Sequence, residues 1–237
     1  MNMKKINLFT VPYAFGGANI YRGFEKHLES HINIISLNYP GHEARISEKL
    51  LLSIQEMAED VYKQIYDNLE CEYSLLGYSM GGYICYELYQ IIKKNNKKLP
   101  KYMFIFASNE PEYNQKYKNG NDFNLTQVRE VLIEFGGTSN EIINNDDFIE
   151  LIAPIVRNDI TALGTYVPTS YIEGKIGCSV TVVRGSQEEN IEDCQIKWNN
   201  YFYNECEYIV VNGKHFFMFE EDGNRFNEFA EIINKRI

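Results

Sequence analysis

Tyr73-Ser74-Leu75-Leu76-Gly77-Tyr78-Ser79-Met80-Gly81-Gly82 reads as a short buried strand running into a glycine-rich turn. Beyond it, Met80, Tyr83, Ile84, Glu87, Leu88, Ile91 and Ile92 recur at helical spacing, the strongest such pattern in the chain. Gly-x-Ser-x-Gly between a strand and a helix is the pattern of a nucleophile elbow. A turn that tight holds its serine in a strained conformation, and crowding demands glycine on both sides. The turn lifts the hydroxyl clear of the sheet at a helix N-terminus, where the Met80 N–H can face a developing oxyanion. A glycine-rich turn alone would mean little; the strand before it and the helix after it carry the inference.

Outward from this stretch, apolar runs at 6–11, 32–37, 73–77, 102–107, 179–184 and 207–211 have strand length and composition. Helical periods lie between them. Tyr21, Phe24 and Leu28 share one face. Ser53-Ile54-Gln55-Glu56 is a capping box opening a helix whose apolar face is Ile54, Met57, Val61 and Ile65. Phe226, Phe229, Ala230 and Ile233 mark the last helix. Such alternation implies an α/β chain with a mostly parallel sheet covered on both faces. From about 114 to 166 the alternation stops. Leu125, Val128, Val131, Leu132 and Phe135 suggest one helix there; Phe148, Leu151, Ile152, Ile155 and Val156 suggest a second. The expectation is one domain over 1–237, with a helical lid inserted over the carboxyl edge of the sheet, where such folds bind ligands.

A serine hydroxyl needs a base. The order serine, acid, histidine puts that base after the last strand, and His215 stands there in Gly213-Lys214-His215-Phe216-Phe217. His27, His31 and His42 precede Ser79, in the wrong order; His42, in Pro40-Gly41-His42, reads as structural. The acid should follow the fifth strand. Glu188, three residues after Gly185, is the candidate, with Glu189 and Asp193 competing. Its task is to hold the histidine tautomer and stabilise the imidazolium. A second oxyanion donor should come from the loop after the first strand, where Ala14 or Phe15 can present an N–H before Gly16-Gly17.

Composition narrows the function classes. The chain has 23 basic and 33 acidic residues, a net charge of −10, which leaves little for the basic face that nucleic acid requires. Its 237 residues contain no apolar run long enough for a membrane helix, and Pro12 interrupts the N-terminal apolar stretch too early for a signal peptide. A cytoplasmic protein is expected. Cys71, Cys85, Cys178, Cys194 and Cys206 are odd in number and lack metal-knuckle spacing, so free thiols and no metal are expected. The 18 Tyr and 14 Phe exceed what a core of this size needs and can line a pocket.

With these motifs together, the sequence resembles the type II thioesterases of nonribosomal peptide and polyketide synthesis, within the α/β-hydrolase superfamily. The match spans nearly the whole chain. Pro12-Tyr13-Ala14 with Gly16-Gly17, Tyr39-Pro40-Gly41-His42, and Gly77 to Gly82 resemble the family's motifs. So do Gly136-Gly137, Arg157-Asn158-Asp159 with Tyr166, and Gly213 to Phe217. The resemblance implies hydrolysis of acyl groups from the phosphopantetheine arm of acyl or peptidyl carrier proteins. No cofactor is expected, and a monomer is the working expectation. By position the resemblance implies Ser79 as nucleophile, His215 as base, and Ala14 and Met80 as oxyanion donors. Three residues depart from the family: Tyr78 replaces histidine, Phe15 replaces glycine and Glu188 replaces aspartate. A carboxylesterase or lipase acting on small esters would carry the same three active residues. A binding module without activity predicts that one of them is broken. Lys93, Lys94, Lys97, Lys98 and Lys101 cluster at the end of the post-elbow helix, where they complement its C-terminus or meet an acidic carrier.

Overall fold

Runs rich in Ile, Val, Phe and Tyr form strands because branched and aromatic side chains pack well on a pleated, buried surface. The computed structural model describes residues 5–111, 118–169, 175–189, 197–219 and 225–237. Six strands are present among them: β1 (Ile6–Val11), β2 (Ile32–Ser36), β3 (Tyr73–Tyr78), β4 (Tyr102–Phe106), β5 (Ser179–Gly185) and β6 (Glu207–Val211). They form one sheet in the order β2-β1-β3-β4-β5-β6, and every pairing is parallel. Gly77 of β3 lies opposite Val11 of β1 and Ile105 of β4, so the carboxyl ends of these strands are level.

Both faces of the sheet are buried over the central strands β1, β3, β4 and β5, as a parallel sheet requires, while the edge strands β2 and β6 are partly exposed. Phe9, Leu75, Met103, Ile105 and Val182 point to one core, shared with α1 (Ile54–Ile65) and α2 (Met80–Lys94). Leu8, Leu76, Phe104, Phe106 and Val183 point to the other, shared with the helix Phe226–Asn234. Helix α2 is buried from Met80 through Ile92, Glu87 and Gln90 included. The helical spacing of its apolar residues therefore understates its burial.

The segment joining β4 to β5 holds α3 (Leu125–Phe135), α4 (Asn140–Ile143) and α5 (Asp146–Gly164); the helix Phe226–Asn234 is α6. Asn124 and Gln127 cap α3 reciprocally, and Asn145 caps α5. These helices share a small core of their own, built on Val128, Leu132, Ile149, Ala153, Val156 and Ile160.

Local expectations differ from the structure in three places. Tyr21, Phe24 and Leu28 do not share a helix: two 3-10 turns, Ala18–Tyr21 and Phe24–Lys26, are separated by Gly23 at φ +92°. Ser53 does cap α1 by accepting from Glu56 N–H. The Glu56 carboxylate, however, accepts from Leu52 N–H rather than from Ser53. In α5 the buried stripe is Ile149, Ala153, Val156 and Ile160, while Phe148 and Leu151 are exposed. The helix is rotated so that its polar pair Asn158 and Asp159 faces inward.

Candidate active site

Ser79 sits between β3 and α2 with φ +52° and ψ −117°, a left-handed backbone that a serine rarely adopts. Steric pressure explains its neighbours. A Cβ on Gly77 would lie 2.3 Å from Gly81 O, and one on Gly81 would lie 2.2 Å from Val11 O and 2.8 Å from Pro12 O. The loop after β1 therefore rests directly on the first turn of α2. From β4, Phe106 O accepts from Ser79 N–H at 2.8 Å, and the Ser108 hydroxyl donates to Ser79 O at 2.6 Å.

His215 follows β6, and its ring bridges two of the residues singled out above. Nε2 is 2.9 Å from Ser79 Oγ, and Nδ1 is 2.8 Å from Glu188 Oε1. With Nδ1–H donating to the carboxylate, Nε2 is left to accept the serine proton. The Tyr78 hydroxyl donates to His215 O at 2.7 Å. Tyr78, which stands where the resemblance leads one to expect histidine, thus ties the histidine loop to the elbow. Tyr78 also packs among Tyr13, Phe216, Phe217 and Phe219.

Glu188 stands in the turn after β5. Its Oε2 accepts from Arg184 Nε at 2.9 Å and from Gly185 N–H at 2.8 Å, leaving Oε1 for His215. Burial alone would raise the carboxyl pKa, but the His215 hydrogen bond, the Arg184 charge and the Gly185 N–H together bring it below its ordinary value. Of the competing acids, Glu189 is exposed and Asp193 lies outside the described residues. Arg184 itself is 2% exposed and also donates to Asn109. Sequence reading missed it, because an arginine at the end of a strand gives no local sign of its partner.

In the loop after β1, the Phe15 N–H donates to Asp159 Oδ2 at 2.8 Å. That commitment leaves Ala14, which is buried, as the residue whose N–H pairs with no acceptor among the described residues. Phe15 has φ +69°, which accounts for the glycine that the resemblance leads one to expect there. His42 is buried, its Nε2 2.9 Å from Asp159 Oδ2 and its Nδ1 3.1 Å from Pro40 O.

Ser79 and His215 open into a cleft of about 690 Å³, walled by Tyr13, Tyr83, Phe135, Leu163 and Phe216, with Asn109, Arg184 and Lys214 as polar lining. Phe135 of α3 meets Phe15 edge-on at 5.5 Å and the His215 ring at 6.1 Å. Among the described residues no group of three or more His, Cys, Asp or Glu could hold a metal ion. No helix among them is long and apolar enough to cross a membrane. Cys71, Cys85, Cys178 and Cys206 form no disulfide among the described residues; Cys194 lies outside them. In the lysine cluster, Lys97 pairs with Glu70 and Lys98 with Glu72.

A parallel sheet with a serine at a strand-to-helix turn, and a histidine beyond the last strand, is the architecture of an α/β-hydrolase. Comparison with known proteins narrows the class. The model of the thioesterase domain family matches residues 6–237, and the chain belongs to that family. It is therefore a hydrolase acting on thioesters. It is 24% identical to the gramicidin S biosynthesis protein GrsT of Aneurinibacillus migulanus, across 91% of this chain and 84% of that protein. To the human medium-chain S-acyl fatty acid synthase thioesterase it is 23% identical, across 90% of this chain and 81% of the relative. In fold it is similar to ClbQ from the colibactin NRPS/PKS pathway. The TM-score is 0.88 and the identity 21%, with 98% of this chain and 97% of that one covered.

Proposed function

We propose that this thioesterase releases acyl or aminoacyl groups from the phosphopantetheine arm of carrier proteins in nonribosomal peptide or polyketide synthesis. Ser79 attacks the thioester carbonyl while His215 Nε2 takes its proton, and Glu188 stabilises the imidazolium that forms. Ala14 and Met80 N–H groups stabilise the oxyanion, a contribution worth roughly 10²–10³ in rate for each donor. The carrier thiol leaves with the proton that His215 gives back, and the neutral ring then takes a proton from the water that clears the acyl-enzyme. The helices between β4 and β5 act as a lid of the single domain. No cofactor is required.

The observation that carries the reading is the unbroken chain Ser79 Oγ–His215 Nε2 and His215 Nδ1–Glu188 Oε1, at 2.9 and 2.8 Å, opening into an aromatic cleft. GrsT is named for gramicidin S biosynthesis and ClbQ for the colibactin NRPS/PKS pathway, which supports the substrate class. The test compares acyl-carrier thioesters, acyl-pantetheine and p-nitrophenyl esters, with Ser79→Ala as control. The expected order is carrier thioester, then pantetheine, then ester, with Ser79→Ala inactive on all three. A carrier-independent preference for the ester would point to a carboxylesterase. Unchanged turnover in Ser79→Ala would overturn the mechanism.

A further inference from the structure

Three segments far apart in sequence converge on one buried carboxylate. Asp159, on α5, is fully buried, and His42, in the loop after β2, is 2% exposed. Asp159 Oδ2 accepts from His42 Nε2 at 2.9 Å and from Phe15 N–H at 2.8 Å. The other oxygen, Oδ1, lies 3.3 Å from Asn158 Nδ2, which also donates to Leu51 O at 2.8 Å. The far side of the same loop is held as well: the Tyr39 hydroxyl donates to Pro12 O at 2.7 Å, and Tyr21 donates to Val11 O at 3.0 Å. Ala14 is thus suspended between two anchored neighbours, and one anchor is a side chain of an inserted helix.

This arrangement has an electrostatic logic. A carboxylate in the interior needs a charged or multiply donating partner, and removing that partner leaves it costly. His42 supplies one: burial pushes its imidazole towards neutrality, but the Asp159 carboxylate outweighs that and raises its pKa above the ordinary value. A charged acceptor also makes a stronger bond to the Phe15 N–H than a neutral one would. That bond matters because Phe15 holds a left-handed φ of +69°, which a phenylalanine would otherwise leave.

We infer that Asp159, hydrogen-bonded to His42, is a positioning residue: by holding the Phe15 N–H it fixes the neighbouring Ala14 N–H for oxyanion binding. The docked α5 helix is thereby a condition for a formed oxyanion hole. The inference rests on the proposed serine mechanism and adds to it a coupling between the inserted helices and the reacting carbonyl. A displacement of α5 withdraws the Phe15 anchor without touching Ser79, His215 or Glu188.

The test uses Asp159→Asn, Asp159→Ala and His42→Gln in the full chain. The readouts are kcat and KM on acyl-pantetheine, the inhibition constant of a trifluoromethyl ketone that forms a tetrahedral adduct, and thermal stability. The expected result for Asp159→Ala is a fall in kcat of about 10–10³-fold with KM little changed, bounded by the loss of one oxyanion donor. Affinity for the ketone should fall in parallel, while affinity for the isosteric amide, which forms no adduct, stays. Asp159→Asn should recover part of the rate, because its carbonyl still accepts from Phe15 N–H. If Asp159→Ala does not fold, the same readouts on Asp159→Asn and His42→Gln decide the matter. Variants that melt lower but keep wild-type kcat and ketone affinity would overturn the inference and leave the pair a structural tie only. The same ratios read on a p-nitrophenyl ester keep this outcome separate from the substrate class. A wild-type enzyme that cleaves only the ester contradicts the proposed substrate, not the coupling.

Discussion

Glu188 uses its two oxygens for two different tasks. Oε1 meets His215, while Oε2 is held by Arg184 and the Gly185 N–H. The side chain is one methylene longer than the aspartate that the resemblance leads one to expect, and the arginine clamp takes up the extra reach. Glu188→Gln keeps the shape but loses the charge, so kcat should fall roughly 10³–10⁴-fold, as steady-state kinetics can measure. Phe15 poses the opposite question. Its left-handed backbone costs about 1–2 kcal/mol, and its edge contact with Phe135 returns about 0.5–1.5 kcal/mol. Phe15→Gly removes both. Chemical denaturation should show stability within about 1 kcal/mol of the wild type, with the entropy of the new glycine offsetting the rest.

At the scale of the element, the elbow illustrates a conflict of preferences. Alanine favours a helix over glycine by about 1 kcal/mol, so Gly81→Ala in α2 ought to stabilise. The new Cβ would meet Val11 O at 2.2 Å, however, and backbone cannot yield as a flexible side chain can. Overpacking costs about 1–3 kcal/mol or more, so the variant should unfold at lower denaturant and lose activity as the loop after β1 is pushed away. Elements of this kind were largely legible in the sequence. All six strands coincide with apolar runs to within a residue or two, because burial on both faces leaves a continuous hydrophobic signature. The rotation of α5 was not legible: Leu151 and Phe148 looked like its core, and the buried Asn158 and Asp159 entered only through the resemblance. Their partners, Leu51, His42 and Phe15, are more than a hundred residues away, and no local period encodes a pairing at that distance. The same holds for Tyr78 with His215. Ser79, His215 and Glu188 were easier to single out, since motif order alone brings them to one edge of a parallel sheet.

For the whole molecule, two buried charge pairs respond to pH in opposite directions. Glu188 has a pKa below its ordinary value of 4.5, so its pairing stabilises the fold at neutral pH. That contribution is lost as pH falls below the ordinary value through the lowered one. His42 is raised above 6.5, so its pairing with Asp159 is fully present below that pH and is lost as pH rises through the raised value. Melting curves across pH should show it. The gap between wild type and Glu188→Gln should close on the acid side, and the gap between wild type and His42→Gln on the alkaline side. If the proposed carrier is acidic, the net charge of −10 would add a general repulsion towards it. The lysines past α2 offset little of it, since Lys97 and Lys98 already face Glu70 and Glu72.

Because every strand of the sheet runs the same way, the molecule has two chemically unlike ends. Ser79, His215, Glu188 and the Ala14 loop all leave the carboxyl edge. At the amino edge, Ile6 N–H donates to His31 O, and the His31 ring meets the main-chain oxygen of Ile237. A surface tether, a dye or a carrier domain joined after Ile237 would therefore start on the side away from the cleft. A linker that brings a fused carrier to Ser79 must span the height of the sheet, about 20 Å for strands of six residues, before its arm can enter.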